Sequence, residues 1–316
     1  MKIVFMGTPE FACAILGSLI DSDHDILAVV TGQDKPVGRK RVPTPTVVRR
    51  LAEKHRLPVF TPRSLKEETL GDSLAALKAD LFIVAAFRIL PPRLFELPRL
   101  GSINIHASLL PKYRGAAPIN WAIINGETET GLTSFFLKKQ IDTGDMILQV
   151  KVPVAPTDTY DSLHDRLAEL AGPFTLESLD LIESGKTNPI PQDDTVATPA
   201  PKIQPSDALI DFDQPAARVA NFIRGMATKP GAYTFFRGQK LKVHFARATE
   251  SKVETAAPGT IVAQKKALLV ACRDSAVELT RVVPAGRKEM DGVSFINGFR
   301  PKAGESFNKE GTTELL

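Results

Sequence analysis

An asparagine and a histidine stand two residues apart at the end of a predicted strand: Asn104 and His106, within GSINIHASLLPKYRG (residues 101–115). Apolar residues alternate with them, so both polar side chains lie on one face of the strand, about 6.5 Å apart. A neutral imidazole can take a proton from an attacking group, and an amide N–H can donate to an oxygen as it becomes negative. The pair predicts attack on a carbonyl. The alternative is that both side chains bond backbone groups of the following loop.

A carboxylate that could hold the imidazole stands further along, in IDTGDMI (residues 141–147). Asp142 and Asp145 flank a glycine there, and an Asp beside an imidazole favours its cationic form and fixes its tautomer. The other possibility is a turn Asp that bonds its own backbone, which is common in D-T-G sequences.

Covalent catalysis lacks support in this sequence. The nucleophile motif G-x-S-x-G is absent, and neither Cys13 nor Cys272 has a histidine nearby along the chain. With no CxxC spacing, zinc is not expected, and both cysteines are expected to be small buried hydrophobic residues. MGTPEFA departs from the dinucleotide fingerprint and a P-loop is absent, so neither NAD nor ATP is expected.

Two regions are basic enough to contact phosphates. The loop TGQDKPVGRKRVPTP (residues 31–45) carries Lys35, Arg39, Lys40 and Arg41 between prolines and a glycine. From residue 204 onward, 17 Lys and Arg face 12 Asp and Glu, so the C-terminal third holds the positive balance of the chain. The alternative for both regions is solvated surface.

Strands and helices alternate through the first half of the chain. KIVFM, ILAVV, ADLFIVAA and SINIHA have strand length, and helical periodicity follows at 45–55 and 70–78. This order predicts an α/β, Rossmann-like, open and mostly parallel sheet, whose ligands bind beyond the carboxyl ends of the strands. Residues 159–184 predict a helix that is interrupted at Pro173.

The organisation changes after residue 188. A chain of 316 residues favours two domains. We expect a catalytic domain at 1–188, a proline-rich linker at 189–206, and a small OB-like β-barrel at 207–316. No run of 18 apolar residues and no signal-peptide pattern is present, so a cytoplasmic protein without membrane contact is expected.

Several of these stretches together resemble the formyltetrahydrofolate-dependent transferase and hydrolase family. The resemblance rests on Asn104, His106, SLLPKYRG and Asp142. Its tRNA-directed branch is matched by MKIVFMGTPEFA, QDKPVGRK, GLTSFFL…DTGDMI and VVPAGRKEMDGVSFINGFR. The sequence departs from the family at AAFRILP (residues 85–91), where Phe87 and Arg88 replace Tyr and Gly, and at Ala107, which replaces Gly.

The resemblance implies formyl transfer from 10-formyltetrahydrofolate to the α-amine of methionyl initiator tRNA, as a monomer and without metal. It assigns catalysis to Asn104, His106 and Asp142. It also implies the folate contacts Ser108, Leu109, Leu110, Pro111, Ile89 and Leu90, and tRNA contacts from the basic loop. The alternatives are a relative acting on a nucleotide sugar, glycinamide ribonucleotide or water, and an RNA-binding barrel protein whose α/β half is inactive.

Overall fold

Two compact units make up the chain. The computed structural model describes residues 1–37, 41–250, 256–263, 266–302 and 304–307. One unit comprises Met1–Pro118, Glu129–Pro153 and His164–Pro201, and the other comprises Ile119–Thr128, Val154–Leu163 and Lys202–Leu316. We call them the first unit and the second unit.

The first unit is built on a seven-stranded sheet. Its strands are β1 (Lys2–Gly7), β2 (Asp25–Val30), β5 (Val59–Phe60), β6 (Leu81–Ala85), β7 (Ser102–His106), β9 (Glu129–Phe136) and β10 (Met146–Pro153). The sheet order is β10-β9-β7-β6-β1-β2-β5. All pairs from β7 to β5 are parallel, whereas β9 pairs antiparallel with both β7 and β10. The predicted open, mostly parallel sheet is therefore confirmed.

Helices connect these strands. They are α1 (Glu10–Ile20), α2 (Val47–Lys54), α3 (Glu68–Ala76), α4 (Pro92–Phe95), α5 (Pro118–Ile124) and α6 (Tyr160–Glu183). Every residue of β6 is buried, as expected of a parallel strand covered on both faces. Phe82 and Val84 pack on one face of the sheet with apolar residues of α3 and α4. Because β6 pairs in parallel with β7, the carboxyl ends of these two strands lie side by side.

The predicted interruption of the long helix is wrong, because α6 runs unbroken through Pro173. Proline removes the hydrogen bond to the carbonyl of Glu169 and normally breaks a helix. Glu169 is exposed, so water can solvate that carbonyl. The buried residues Leu167, Ala171 and Phe174 continue the helical period across the proline. Burial of this apolar stripe holds the two halves in one helix.

The basic loop folds into a small hairpin of β3 (Lys35–Val37) and β4 (Val42–Thr44), which pair antiparallel. At its base, the hydroxyl groups of Thr31 and Thr46 are hydrogen-bonded at 2.9 Å. Thr46 also caps α2 by accepting a hydrogen bond from the backbone N–H of Arg49. The loop is therefore anchored to the start of a helix.

Part of the segment expected to be a linker pairs with the first unit. Ile190 and Met146 exchange backbone hydrogen bonds, and β11 (Pro199–Ala200) pairs in parallel with β8 (Arg114–Gly115). A turn of 3₁₀ helix lies between them at Asp194–Val196. The boundaries 1–188, 189–206 and 207–316 stay a prediction.

The second unit contains an antiparallel sheet curled into a half-barrel. Its strands are β12 (Ala232–Phe236), β13 (Gln239–Thr249), β14 (Ile261–Ala263), β15 (Leu269–Ala271), β16 (Ala276–Pro284) and β17 (Met290–Asp291). Two helices accompany the sheet, α7 (Ala216–Met226) and α8 (Gly292–Phe299). Asp291 caps α8 by accepting a hydrogen bond from the backbone N–H of Ser294. The predicted small β-barrel architecture is confirmed, and α8 is an element that the sequence analysis did not predict.

Two short segments that lie early in the sequence belong to this second unit. Ile124 is part of its apolar core, together with residues of α7 and the half-barrel. The amide of Asn120 donates a hydrogen bond to the carbonyl oxygen of Gly225 at 2.8 Å. Arg224 donates to the carbonyl of Asp158 and to Asn221, and burial lowers the pKa of this guanidinium. The division into compact units therefore does not follow the order of the chain.

Among the described residues, no helix combines the length and the apolar character needed to cross a membrane.

Candidate active site

Strand β7 carries the two residues that the sequence singled out. In the sheet register, Asn104 lies opposite Phe135 of β9 and His106 lies opposite Thr133. His106 is buried and Asn104 is half-buried, and both lie on the same face of the strand. In the part of the chain that the structure describes, no hydrogen bond engages the Asn104 amide. The amide can therefore donate to a substrate without breaking an internal bond.

A backbone carbonyl, not a carboxylate, fixes the tautomer of His106. Its Nε2 atom lies 2.9 Å from the carbonyl oxygen of Tyr113. A carbonyl can only accept, so Nε2 must carry the proton that is donated. In the neutral ring Nδ1 is then the basic nitrogen. Tyr113 adopts a left-handed backbone conformation (φ +63°) at the position from which its carbonyl reaches the ring.

Asp142 faces the basic nitrogen of that ring. Its Oδ2 atom lies 4.0 Å from Nδ1 of His106 and accepts a hydrogen bond from the backbone N–H of Gly115 at 2.9 Å. At 4.0 Å the two side chains form an ion pair when the imidazole is protonated, but not a direct hydrogen bond. The neighbouring Asp145 instead pairs with Lys138 at 2.7 Å. The structure thus brings Asp142, and not Asp145, to the imidazole.

Two glycines allow this close packing. A Cβ atom at Gly144 would lie 1.5 Å from the carbonyl oxygen of Phe136, so the Asp142 turn can lie against β9 only without a side chain there. A Cβ atom at Gly115 would lie 2.5 Å from the carbonyl oxygen of Ala200, and its φ of +128° is a conformation that glycine favours. Asp142 itself adopts φ +54°, so the turn also has a strained residue.

Polar side chains of β9 and β10 hold the loop that follows β7. The hydroxyl of Thr133 donates to the carbonyl of Ser108 at 2.7 Å and accepts from the N–H of Leu110 at 3.1 Å. Gln149 donates to the carbonyl of Leu110 and to the Thr133 hydroxyl. The Ser108 hydroxyl donates a hydrogen bond to the carbonyl of Lys112, within the same loop. The Ser108–Pro111 segment is therefore a fixed wall beside His106.

The segment after β6 forms a second wall, because β6 and β7 are neighbours and end at the same edge of the sheet. Leu90 is buried, whereas Ile89 is 69% exposed. Arg88 donates to the carbonyls of Pro62 and Arg63 at 3.1 and 3.2 Å, and its guanidinium lies 5.2 Å from the Phe87 ring.

Partial burial lowers the pKa of the Arg88 guanidinium, and the nearby charge of Glu67 acts in the opposite direction. The guanidinium is nonetheless charged near neutral pH, as arginine is in proteins. Arg88 therefore links the segments that follow β5 and β6.

The four basic residues of the 31–45 loop can be followed only in part. Lys35, on β3, and Arg41, next to β4, are both exposed. Arg39 and Lys40 lie outside the described residues. The hairpin follows β2, whose carboxyl end lies at the same edge of the sheet as that of β7.

The sequence does not single out the groups that hold the site in place: the carbonyl of Tyr113, the side chains of Thr133 and Gln149, and Gln192, whose amide donates to the carbonyls of Asp142 and Gly144. Thr133 and Gln149 lie in alternating strand patterns and look there like ordinary polar residues. Gln192 lies in a proline-rich stretch that carries no local signal. A backbone carbonyl has no residue-type signature at all.

Two family models match the chain. Residues 1–179 match "Formyl transferase", and residues 202–300 match "Formyl transferase, C-terminal domain". The chain is 43% identical over 308 residues to a methionyl-tRNA formyltransferase of Bacteroides fragilis, covering 95% of each chain. It is 40% identical over 316 residues to that of Geobacter sulfurreducens, covering 99% of each. This chain belongs to the formyl transferase family. The resemblance predicted from the sequence is confirmed.

Solved formyl transferase structures share the fold. WlaRD, a sugar 3N-formyl transferase crystallised in the presence of dTDP and 5-N-formyl-THF, is similar with a TM-score of 0.68 at 17% identity. The similarity covers 91% of this chain and 99% of WlaRD. For the methionyl-tRNA formyltransferase from Clostridium thermocellum, the TM-score is 0.56 at 16% identity, with 80% and 95% covered. At such identities the likeness supports the fold alone.

Proposed function

We propose that this formyl transferase moves a formyl group from 10-formyltetrahydrofolate to the α-amine of methionyl initiator tRNA, giving N-formylmethionyl-tRNA for translation initiation. One observation carries the proposal. Asn104 and His106 share a face of β7 with Asp142 4.0 Å from the imidazole, in a chain that matches curated methionyl-tRNA formyltransferases along nearly its whole length.

The reaction requires no nucleophile from the protein. An α-amine has a pKa of about 8 and attacks a carbonyl carbon once it is deprotonated. Attack on the formyl carbon forms the new C–N bond and puts negative charge on the formyl oxygen. Collapse of this tetrahedral species re-forms the C=O bond and breaks the bond between the formyl carbon and N10 of the folate. The electron pair of that bond leaves with N10, which takes up a proton. The protein must therefore move one proton and stabilise one oxyanion.

His106 moves the proton in this proposal. With Nε2–H engaged by the Tyr113 carbonyl, Nδ1 is the atom that accepts the proton of the attacking amine. The resulting imidazolium faces the Asp142 carboxylate at 4.0 Å, which stabilises the positive charge while it lasts. Nδ1–H then returns the proton to N10.

Asn104 stabilises the oxyanion. Its N–H donates to the formyl oxygen, and the donation strengthens as charge develops there. Half-burial among apolar strands lowers the local dielectric, which makes such a bond stronger than in water. Protonated His106 is a second donor on the same face.

The segments that follow β7 and β6 suit the formyl donor as a substrate. We assign Ser108, Leu109, Leu110 and Pro111 to one side of its site and Ile89 and Leu90 to the other. A pteridine is a flat heterocycle, and the exposed apolar side chain of Ile89 beside fixed backbone suits it. The transfer as proposed uses neither a metal nor NAD.

The charged tRNA is the acceptor, and basic side chains hold its phosphates. We assign Lys35, Arg39, Lys40 and Arg41 to the acceptor end. The positive balance of the C-terminal third suits the backbone further along the tRNA. On this assignment residues 1–188 form the catalytic domain, 189–206 the linker, and 207–316 an OB-like tRNA-binding domain.

The test is transfer of labelled formyl from 10-formyltetrahydrofolate to methionyl initiator tRNA, with methionyl elongator tRNA, an amino sugar nucleotide, glycinamide ribonucleotide and water as competing acceptors. We expect transfer to the initiator tRNA at the highest kcat/KM. Faster transfer to the sugar or to glycinamide ribonucleotide, or hydrolysis alone, would assign the site to another acceptor. Binding of tRNA without any turnover would indicate an RNA-binding protein.

A further inference from the structure

The side chain of Gln192 joins three segments around the candidate active site. Its Nε2 atom donates to the carbonyl oxygen of Asp142 at 2.9 Å and to that of Gly144 at 2.8 Å. Its Oε1 atom accepts from Nε and Nη2 of Arg114 at 3.0 and 2.8 Å. Both N–H groups and both acceptor sites of the amide are used, so the contact is fully specified.

The chemistry of the partners also fixes the orientation of this amide. Two carbonyl oxygens can only accept, and a guanidinium can only donate. Rotation of the amide by 180° would place oxygen against oxygen on one side and N–H against N–H on the other. Glutamine is the side chain that can serve both sides at this length. Glutamate would keep the Arg114 side and lose the carbonyl side.

Backbone pairing holds Gln192 at this position from both sides. Ile190, two residues earlier, exchanges hydrogen bonds with Met146 at 2.8 and 2.9 Å. Later in the segment, the Thr198 hydroxyl accepts from the N–H of Tyr113 at 2.9 Å. The Thr198 carbonyl accepts from the N–H of Arg114, also at 2.9 Å. Residues 190–198 therefore bridge two parts of the site, and we call this segment the strap. On one side it binds the turn that contains Asp142, and on the other it binds Tyr113 and Arg114, which follow the Ser108–Pro111 loop.

This strap contacts both groups that face the ring nitrogens of His106. Tyr113, whose carbonyl binds Nε2, is held by Thr198. Asp142, whose carboxylate faces Nδ1, is held by Gln192. Asp142 has a left-handed backbone, and its carboxylate accepts one hydrogen bond, from the N–H of Gly115. The two bonds from Gln192 to the carbonyls of Asp142 and Gly144 restrain the backbone that carries this carboxylate.

We propose that Gln192 is a positioning residue of the transferase: it holds the Asp142 turn so that the carboxylate stays in reach of Nδ1 of His106. The inference rests on the proposed function. It assigns a part in catalysis to the segment that joins the two family-model regions, since residues 180–201 lie outside both. A displacement of about 1 Å at a catalytic group can cost about 100-fold in rate.

Three substitutions at this position test the proposal in the full-length protein. Gln192→Ala removes all four bonds, Gln192→Met keeps the length without polarity, and Gln192→Glu keeps only the Arg114 side and sets a carboxylate against two carbonyls. We expect each to lower kcat by about 10- to 50-fold, with the KM values for folate and tRNA within about twofold of the parent. A Gln192→Glu enzyme with parental kcat would overturn the proposal, because contact with Arg114 would then suffice.

Asp194→Ala is the matched control. Asp194 binds the same guanidinium at 2.7 Å, is exposed, and touches neither Asp142 nor Gly144. We expect the kcat of this variant within twofold of the parent. If Asp194→Ala loses as much as Gln192→Ala, the strap acts through Arg114 and the proposal is wrong.

A double-mutant cycle separates positioning from general stabilisation. If Gln192 acts through Asp142, then Gln192→Met should change single-turnover formylation less than twofold in an Asp142→Asn background. A full 10-fold loss in that background would show that Gln192 acts elsewhere. The backbone N–H of Gly115 donates to the Asp142 carboxylate, so its hydrogen-exchange rate reports on the position of that carboxylate without substrate. Gln192→Met should increase this exchange rate at least fivefold. An unchanged exchange rate together with an unchanged kcat would overturn the proposal.

These outcomes are distinguishable from failure of the proposed function. If the parent enzyme does not formylate methionyl initiator tRNA, the function is wrong, whatever the exchange measurement gives. If the parent is active and the Gln192 variants match it, only the positioning role is wrong.

Discussion

Nδ1 of His106 and Oδ2 of Asp142 lie 4.0 Å apart, with the carboxylate anchored by the N–H of Gly115 and the other ring nitrogen anchored by the carbonyl of Tyr113. A direct hydrogen bond would commit Nδ1 to the carboxylate. At 4.0 Å the nitrogen can still meet a substrate proton, while its charged form lies within reach of the carboxylate. The distance therefore suits a residue that must accept a proton and return it.

The first prediction follows from this geometry. Asn104→Ala and His106→Ala should each lower kcat/KM for formyl transfer by at least about 100-fold, the cost of one oxyanion donor or one proton carrier. Asp142→Asn keeps the shape and tolerates the left-handed backbone but loses the charge, and should cost about as much. Steady-state formylation, with thermal unfolding as a check of folding, measures all three.

Asp145→Asn is the control, since Asp145 is in the same turn but pairs with Lys138. It should retain activity within threefold. Activity within threefold for Asn104→Ala or His106→Ala would remove these residues from the mechanism.

A second prediction concerns the turn itself. Gly144→Ala places a Cβ atom 1.5 Å from the Phe136 carbonyl oxygen, so the backbone must move. We expect a loss of about 2 kcal/mol or more in the free energy of unfolding, together with reduced kcat. Urea denaturation measures the former.

Gly17→Ala is the matched substitution for this test. Gly17 lies within α1, where an added Cβ meets nothing within 4 Å. Alanine there should stabilise the protein by about 0.5–1 kcal/mol. Equal effects of the two substitutions would contradict the close packing of the turn.

The parallel core of the fold could be predicted from the sequence because buried strands such as Leu81–Ala85 are continuous apolar runs between turn residues. Continuity of α6 through Pro173 could not, because it depends on tertiary burial of Leu167, Ala171 and Phe174, which outweighs a local rule. The antiparallel placement of β9 next to β7 is likewise a matter of long-range pairing.

The site divides in the same way. Asn104 and His106 could be found because an amide and an imidazole alternate with apolar residues on one face at the end of a strand, and Asp142 because it lies in a glycine turn. The residues that position them act from 7 residues away, as Tyr113 does, or from 50, as Gln192 does. Nothing in the sequence near either residue reveals which atom it will bond.

A third prediction concerns Arg88, which links the segments that follow β5 and β6. Arg88→Ala removes two charge-assisted bonds to the carbonyls of Pro62 and Arg63 and frees the backbone that carries Ile89. We expect the KM for 10-formyltetrahydrofolate to rise by about 5- to 10-fold, while the KM for the charged tRNA stays within twofold. Arg99→Ala is the control. This exposed arginine pairs with Asp80, which precedes β6, whereas Arg88 follows the carboxyl end of that strand. A parental folate KM in Arg88→Ala would leave this link without a role in substrate binding.

The thiols provide a fourth prediction. Cys272 is buried and Cys13 half-buried, so the expected burial is confirmed for Cys272 alone. Burial raises the pKa of Cys272 to about 12, and partial burial also raises the pKa of Cys13. At pH 8 the thiolate of Cys272 is then on the order of one part in ten thousand, so a thiol reagent should label it only after unfolding. Cys13→Ala with Cys272→Val should keep turnover within threefold, because amine attack needs no enzyme thiol. A folded double variant without turnover would contradict the mechanism.

The last prediction concerns the basic loop of residues 31–45. Each phosphate contact releases counterions, so tRNA affinity should fall steeply as salt rises. Replacing Arg39, Lys40 and Arg41 with Ala should raise the KM for charged tRNA and reduce the slope of log affinity against log salt by up to about 3. The folate KM should stay within twofold. Binding at three salt concentrations measures the slope.

The loss of three positive charges must be separated from their position. Arg56, Lys78 and Lys186 are exposed. Arg56 and Lys78 precede β5 and β6, and Lys186 follows the end of α6, where Glu183 pairs with the N-terminal amine of Met1. All three therefore lie at the amino edge of the sheet, opposite the edge where β2, β6 and β7 end. Their triple replacement by Ala changes the net charge equally, and the salt slope and the tRNA KM should remain close to those of the parent. If both triple variants weaken tRNA binding alike, net charge alone drives the association; if neither does, the basic loop makes no phosphate contact.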